Sequence, residues 1–183
     1  HDALTLGAAS DSAITTANFS GVFTETHGAG ADAPASTAWN FALSLNGGDG
    51  ELSGLSSNGA AIHLYNVSGT VVGSTAATLG GVNAGNTIFS IGVNATTGIV
   101  TLTQDQQIDH PIGSDPTPTG APFDDQLATL GNNLVTLTGT ATVTDFDGDT
   151  ATSTKAIDLG GDYVTTGSGN ERYGNSGQME TNV

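Results

Sequence analysis

The chain has 183 residues and a formal net charge of −16, its 18 acids opposed only by Lys155 and Arg172. This balance excludes a nucleic-acid partner, because a polyanion would be repelled and two cations cannot line a groove. Cysteine is absent, which removes disulfides and thiolate metal sites, and no apolar run reaches the length that membrane insertion requires.

Aromatic residues make up 5% and charged residues 11% of the chain. Small and hydroxyl residues dominate instead, which favours short strands with many turns over helices. Residues 1–17 are small and polar apart from Leu4, Leu6 and Ile14, and read as a linker or an edge strand. Phe19 to Thr26 reads as the first firm strand, with Phe19, Gly21, Phe23 and Glu25 on one face. Glu25 at its end is either a further cation ligand or an ordinary exposed acid. In Ala38 to Leu45, Trp39, Phe41, Leu43 and Leu45 alternate as a core face should.

Asn46 to Gly59 contains GGDGEL, a partial echo of the glycine-rich calcium nonapeptide. No second copy follows, and a stacked solenoid needs several, so a loop is expected, with Asp49 and Glu51 as minor site candidates. Ala61 to Val67 and Thr70 to Ser74 form two strands about Ser68-Gly69, with His63 as a structural histidine. Thr87 to Val93 and Ile99 to Gln104 flank a turn containing Asn94 and Gly98. Asp105 to Leu130 holds four of the five prolines and reads as an irregular excursion carrying Asp109, His110, Asp115, Asp124 and Asp125.

Asn133 to Asp158 is the most informative stretch. Val135, Leu137, Ala141 and Val143 alternate with Thr136, Thr138, Thr140, Thr142 and Thr144, and Ala151, Ser153, Lys155 and Ile157 alternate in the returning strand. Asp145, Asp147 and Asp149 occupy every second position of the turn between them, and Gly148 supplies freedom of backbone conformation. Three close carboxylates repel one another unless a cation joins them. Oxygen-only ligands in a short loop suit a hard ion, and Ca²⁺ tolerates irregular geometry better than Mg²⁺. The turn is not an EF-hand: its glycine arrives early, Ala156 stands where the bidentate glutamate belongs, and strands flank it. The alternative is a solvated acidic hairpin turn, since Asp and Gly are ordinary turn residues.

Together these elements predict an all-β chain, an antiparallel β-sandwich of immunoglobulin-like or cadherin-like type. The sandwich is expected to span residues 18–161, followed by a flexible or docking tail at 162–183. The stretches FSGVFTETHGAGAD, FALSLNGGDGELSGL, NTIFSIGVNATTGIVTLTQDQQIDHP and NLVTLTGTATVTDFDGDTAT resemble the tandem repeat (extender) domains of giant bacterial RTX adhesins exported by type-one secretion. The resemblance implies a secreted, extracellular, calcium-dependent module at the bacterial cell surface, one link of a stalk used in attachment and biofilm formation. It implies Asp145, Asp147 and Asp149 as Ca²⁺ ligands, adds Asp109, placed at an inter-domain face, as a further metal-site candidate, and makes neighbouring repeats or identical subunits the partners.

Two other readings compete. A calcium-dependent carbohydrate-binding module would use the same acidic loops with an exposed aromatic such as Tyr65, Tyr163 or Trp39 to hold cell-surface or matrix polysaccharide. A self-assembling fibre subunit would complete a neighbour's sheet with residues 1–17 or the tail. No GxSxG elbow, HExxH helix, phosphate loop or cysteine nucleophile occurs, so no catalytic role is expected.

Overall fold

Alternating runs become sheet here wherever the residues between them can turn. The computed structural model describes residues 13–24, 36–109 and 130–160. Its strands are β1 (Ala13–Asn18), β2 (Ser36–Leu45), β3 (Glu51–Ser57), β4 (Ala60–Val67), β5 (Thr70–Ser74), β6 (Thr87–Val93), β7 (Ile99–Gln104), β8 (Val135–Thr144) and β9 (Thr150–Asp158). One sheet runs β1-β7-β6-β5-β4-β3 and the other β2-β8-β9. Every pairing is antiparallel. The all-β sandwich expected from the sequence is the fold observed.

The tight turns are chemical choices. Asn58-Gly59 joins β3 to β4 and Ser68-Gly69 joins β4 to β5, and all four residues have positive φ. Paired positive φ gives the backbone twist that a two-residue hairpin needs. The β6–β7 turn is longer: the Asn94 side chain accepts hydrogen bonds from the amides of Thr96 and Thr97, and Gly98 takes φ 67°.

The core lies between the two inner faces. Ile62, Leu64, Val71, Phe89, Ile91, Val100 and Leu102 come from the large sheet, and Phe41, Leu43, Val135, Leu137 and Ile157 from the small one. An aromatic cluster closes one side: Phe23 meets Phe41 edge-on at 5.2 Å, and Trp39 stacks on Phe41 at 5.7 Å. Trp39 is thus a half-buried core residue, as its place in the alternation predicts. Gly139, in the middle of β8, makes room for this cluster. A Cβ there would stand 2.5 Å from the Phe23 ring, so no larger residue fits without displacing it.

Three expectations are corrected. Phe19 to Thr26 is not a strand over its described part: β1 ends at Asn18, and a 3-10 turn follows at Ser20–Val22. Buried Phe19 and Phe23 sit on either side of that turn, so their spacing of four brackets a 3-10 turn rather than lining a strand face. Asn46 to Gly59 is not simply a loop, because it contains β3, whose register shifts between Leu52 and Ser56 around Gly54 at φ 82°. This bulge hides the alternation from sequence inspection. Finally, β9 alternates in sequence but not in burial. Thr150 to Ala156 are all exposed, because β9 is the outer strand of the small sheet.

The packing at β8 gives a direct test. Gly139→Ala should lower unfolding free energy by about 1–3 kcal/mol, the usual range for overpacking a filled core. Gly92→Ala, where an added Cβ meets nothing within 4 Å, should change it by less than about 0.5 kcal/mol. Urea unfolding of both variants measures the difference.

Candidate metal centre

The ladder between β8 and β9 is unbroken from Thr136↔Asp158 to Thr144↔Thr150, so the acidic turn leaves two aligned strands at a fixed separation. The Asp145 amide donates to the Asp149 carbonyl at 3.0 Å, closing the turn, and Gly148 adopts φ 98°. The Asp145 side chain braces it from within, accepting from the amides of Asp149 at 2.8 Å and Gly148 at 3.1 Å. This bracing brings the alternating carboxylates together: Asp145, Asp147 and Asp149 each offer an oxygen within 4.8 Å of the others.

The Asp145 carboxyl is held below the ordinary carboxylate range. The side-chain interaction with Asp147 is the main cause, with desolvation opposing it and the amides of Asp149, Gly148 and Asp147 adding to it. Among the described residues, protein cations offer no alternative. Lys155 is the sole Lys or Arg among the described residues, and its Nζ donates to the Val22 carbonyl at 2.8 Å. Three convergent carboxylate oxygens on a largely exposed turn suit a hard divalent ion; Zn²⁺ prefers nitrogen and sulfur donors.

The other site candidates are placed elsewhere or lie beyond what is described. The Asp109 carboxylate accepts from the Ser56 hydroxyl at 2.8 Å, the Asn58 amide at 2.9 Å and the Gly59 amide at 2.8 Å. It ties the strand leaving β7 to the β3–β4 turn and is not grouped with the turn aspartates. Asp49 accepts from the Asn66 amide and Glu51 from the Gly47 amide, so both are turn caps. His63 Nδ1 lies 3.0 Å from the Gly50 carbonyl oxygen, a structural contact. Glu25, His110, Asp115, Asp124, Asp125, Tyr163 and the tail at 162–183 lie outside the described residues.

Sequence inspection overlooked two features of the turn. Phe146, flanked by two of the aspartates, is 87% exposed. Its even-numbered position, shared with the outward-facing threonines of β8, is the signal that it points away from the core. Asp158, at the opposite end of the same hairpin, accepts from the Asn133 and Gly160 amides at 2.7 and 2.9 Å and fixes both chain ends there.

An antiparallel sandwich carrying a carboxylate-rich hairpin turn is the class these observations define. The family model described as "Domain of unknown function (DUF5801)" matches residues 2–160, and the chain belongs to that family. No curated protein and no solved structure matches the chain.

Asp109→Ala should cost about 1–3 kcal/mol through the unsatisfied groups it leaves at the β3–β4 turn. The loss should be equal in calcium and in chelator. Chemical denaturation in both buffers checks this, and a loss confined to calcium would make Asp109 a ligand instead.

Proposed function

We propose that this chain is a calcium-stabilised structural module of an extracellular bacterial adhesin, a non-catalytic link in a stalk. The observation that carries the reading is the convergence of the Asp145, Asp147 and Asp149 oxygens within 4.8 Å, while Lys155, the one Lys or Arg among the described residues, donates to the Val22 carbonyl instead. An ion at this turn would relieve the repulsion and clamp the ends of β8 and β9. Outside a cell, where Ca²⁺ is plentiful, the module would be stiff. At cytosolic Ca²⁺ it would be looser and easier to export unfolded.

The net charge of −16 supports the same reading. A strongly negative surface concentrates divalent ions and keeps identical modules from clumping. The carbohydrate-binding alternative gains nothing from Tyr65 or Trp39. Tyr65 is 1% exposed with its hydroxyl bonded to the Ala76 carbonyl, and Trp39 is stacked on Phe41.

Calorimetric titration with Ca²⁺, paired with melting in Ca²⁺ and in chelator, tests the proposal. Ca²⁺ at about 100 times its dissociation constant should add about 2.7 kcal/mol of stability by mass action. Asp147→Ala, at an exposed position, should abolish most of that gain while leaving stability in chelator within about 0.5 kcal/mol. Identical melting of the unsubstituted chain in both buffers, with no heat of binding, would remove calcium from the account.

A further inference from the structure

The sequence contains two Asn-Gly pairs, Asn46-Gly47 and Asn58-Gly59, and both are exposed. Each glycine stands where the fold requires it. Asn58 and Gly59 take paired positive φ between β3 and β4, and a Cβ added to Gly47 would lie 2.3 Å from Glu51 Cδ. Such a pair carries a chemical liability. With no side chain on the glycine to obstruct it, the backbone nitrogen after an asparagine is well placed to attack that asparagine's side-chain carbonyl carbon. The structure opposes both halves of this reaction at both pairs. The Gly47 amide donates to Glu51 Oε2 at 2.8 Å, and the Gly59 amide donates to Asp109 Oδ2 at 2.8 Å. A carboxylate on the N–H opposes loss of its proton, because the nitrogen anion would form against a charge of the same sign. The side chains under attack are engaged as well. Asn46 Nδ2 donates to the Asn133 carbonyl and its Oδ1 accepts from the Thr136 hydroxyl, each at 2.9 Å, while Asn58 Oδ1 accepts from Gln107 Nε2.

We propose that Asn46 and Asn58 are guarded deamidation sites, with Glu51 and Asp109 as their guards. Where a guard is lost, the glycine N–H gives its proton to solvent hydroxide, the nitrogen bonds to the asparagine Cγ, and the Cγ–Nδ2 bond breaks to release ammonia. Water then opens the cyclic imide at either carbonyl, leaving aspartate or isoaspartate. Either product adds a negative charge, and isoaspartate also adds a methylene to the main chain. At residue 58 the new carboxylate would stand beside Asp109, so conversion weakens the same cap that delays it. The inference is independent of the calcium reading, since neither guard is grouped with the turn aspartates.

Peptide mapping by mass spectrometry, on the full chain held for weeks at mildly alkaline pH, reads conversion at each pair separately. The folded chain should convert both pairs at least tenfold more slowly than the chain unfolded in guanidinium chloride. Asp109→Ala should speed conversion at Asn58 at least threefold and leave Asn46 unchanged, and Glu51→Ala should do the reverse. Each pair is thus the folding control for the other. Asp109→Asn and Glu51→Gln keep an acceptor oxygen without the charge, so each should give a rate between those of the unsubstituted chain and the alanine variant. Equal rates in the folded and unfolded chain would overturn the inference. So would acceleration of both pairs in one variant, or alanine variants that convert no faster than the unsubstituted chain.

Discussion

The structure depends on the ladder that β8 makes on both of its edges. Ten register pairs join it to β2 and nine join it to β9. Its inward residues Val135, Leu137 and Ala141 are buried, so a slip of one position would exchange them for threonines. Gly139 holds the register further, because the Phe23 ring fills the space where any side chain would project. From that fixed strand the aromatic cluster, the sandwich closure and the position of the acidic turn all follow.

The strands legible in the sequence are those whose two faces meet different surroundings. β2, β7 and β8 alternate in burial as they alternate in sequence, and the hairpin at Ser68-Gly69 announces itself through its turn residues. β3 escaped notice because glycine and serine fill it and a bulge breaks its period. The segment Phe19 to Phe23 misled because two buried phenylalanines four apart satisfy a strand pattern as readily as they bracket a 3-10 turn. The aspartate triad was legible since alternation in a tight turn leaves few ways to keep three carboxylates apart. The task of Asp109 was not, because its donors Ser56, Asn58 and Gly59 lie some fifty residues away.

One kind of side chain thus does two jobs in this molecule, and the donors around it decide which. Asp109 collects a hydroxyl and two amides, so its charge is spent holding a turn together. Asp158, Asp49 and Glu51 serve in the same way at other junctions. In a chain without disulfides these long-range caps replace covalent staples, since each net hydrogen bond to a charged group contributes about 1.5–3 kcal/mol. The turn aspartates are arranged differently, toward each other and toward solvent. Asp145 also caps its own turn, so what distinguishes a candidate ion site from a cap is the grouping of three carboxylates in one place.

Because Gly139 and Ile157 set the register of the hairpin, the five residues between Thr144 and Thr150 bear little responsibility for the fold. That separation makes the turn an interchangeable cassette. Its charge and length can be changed by substitution while the sandwich beneath keeps its register.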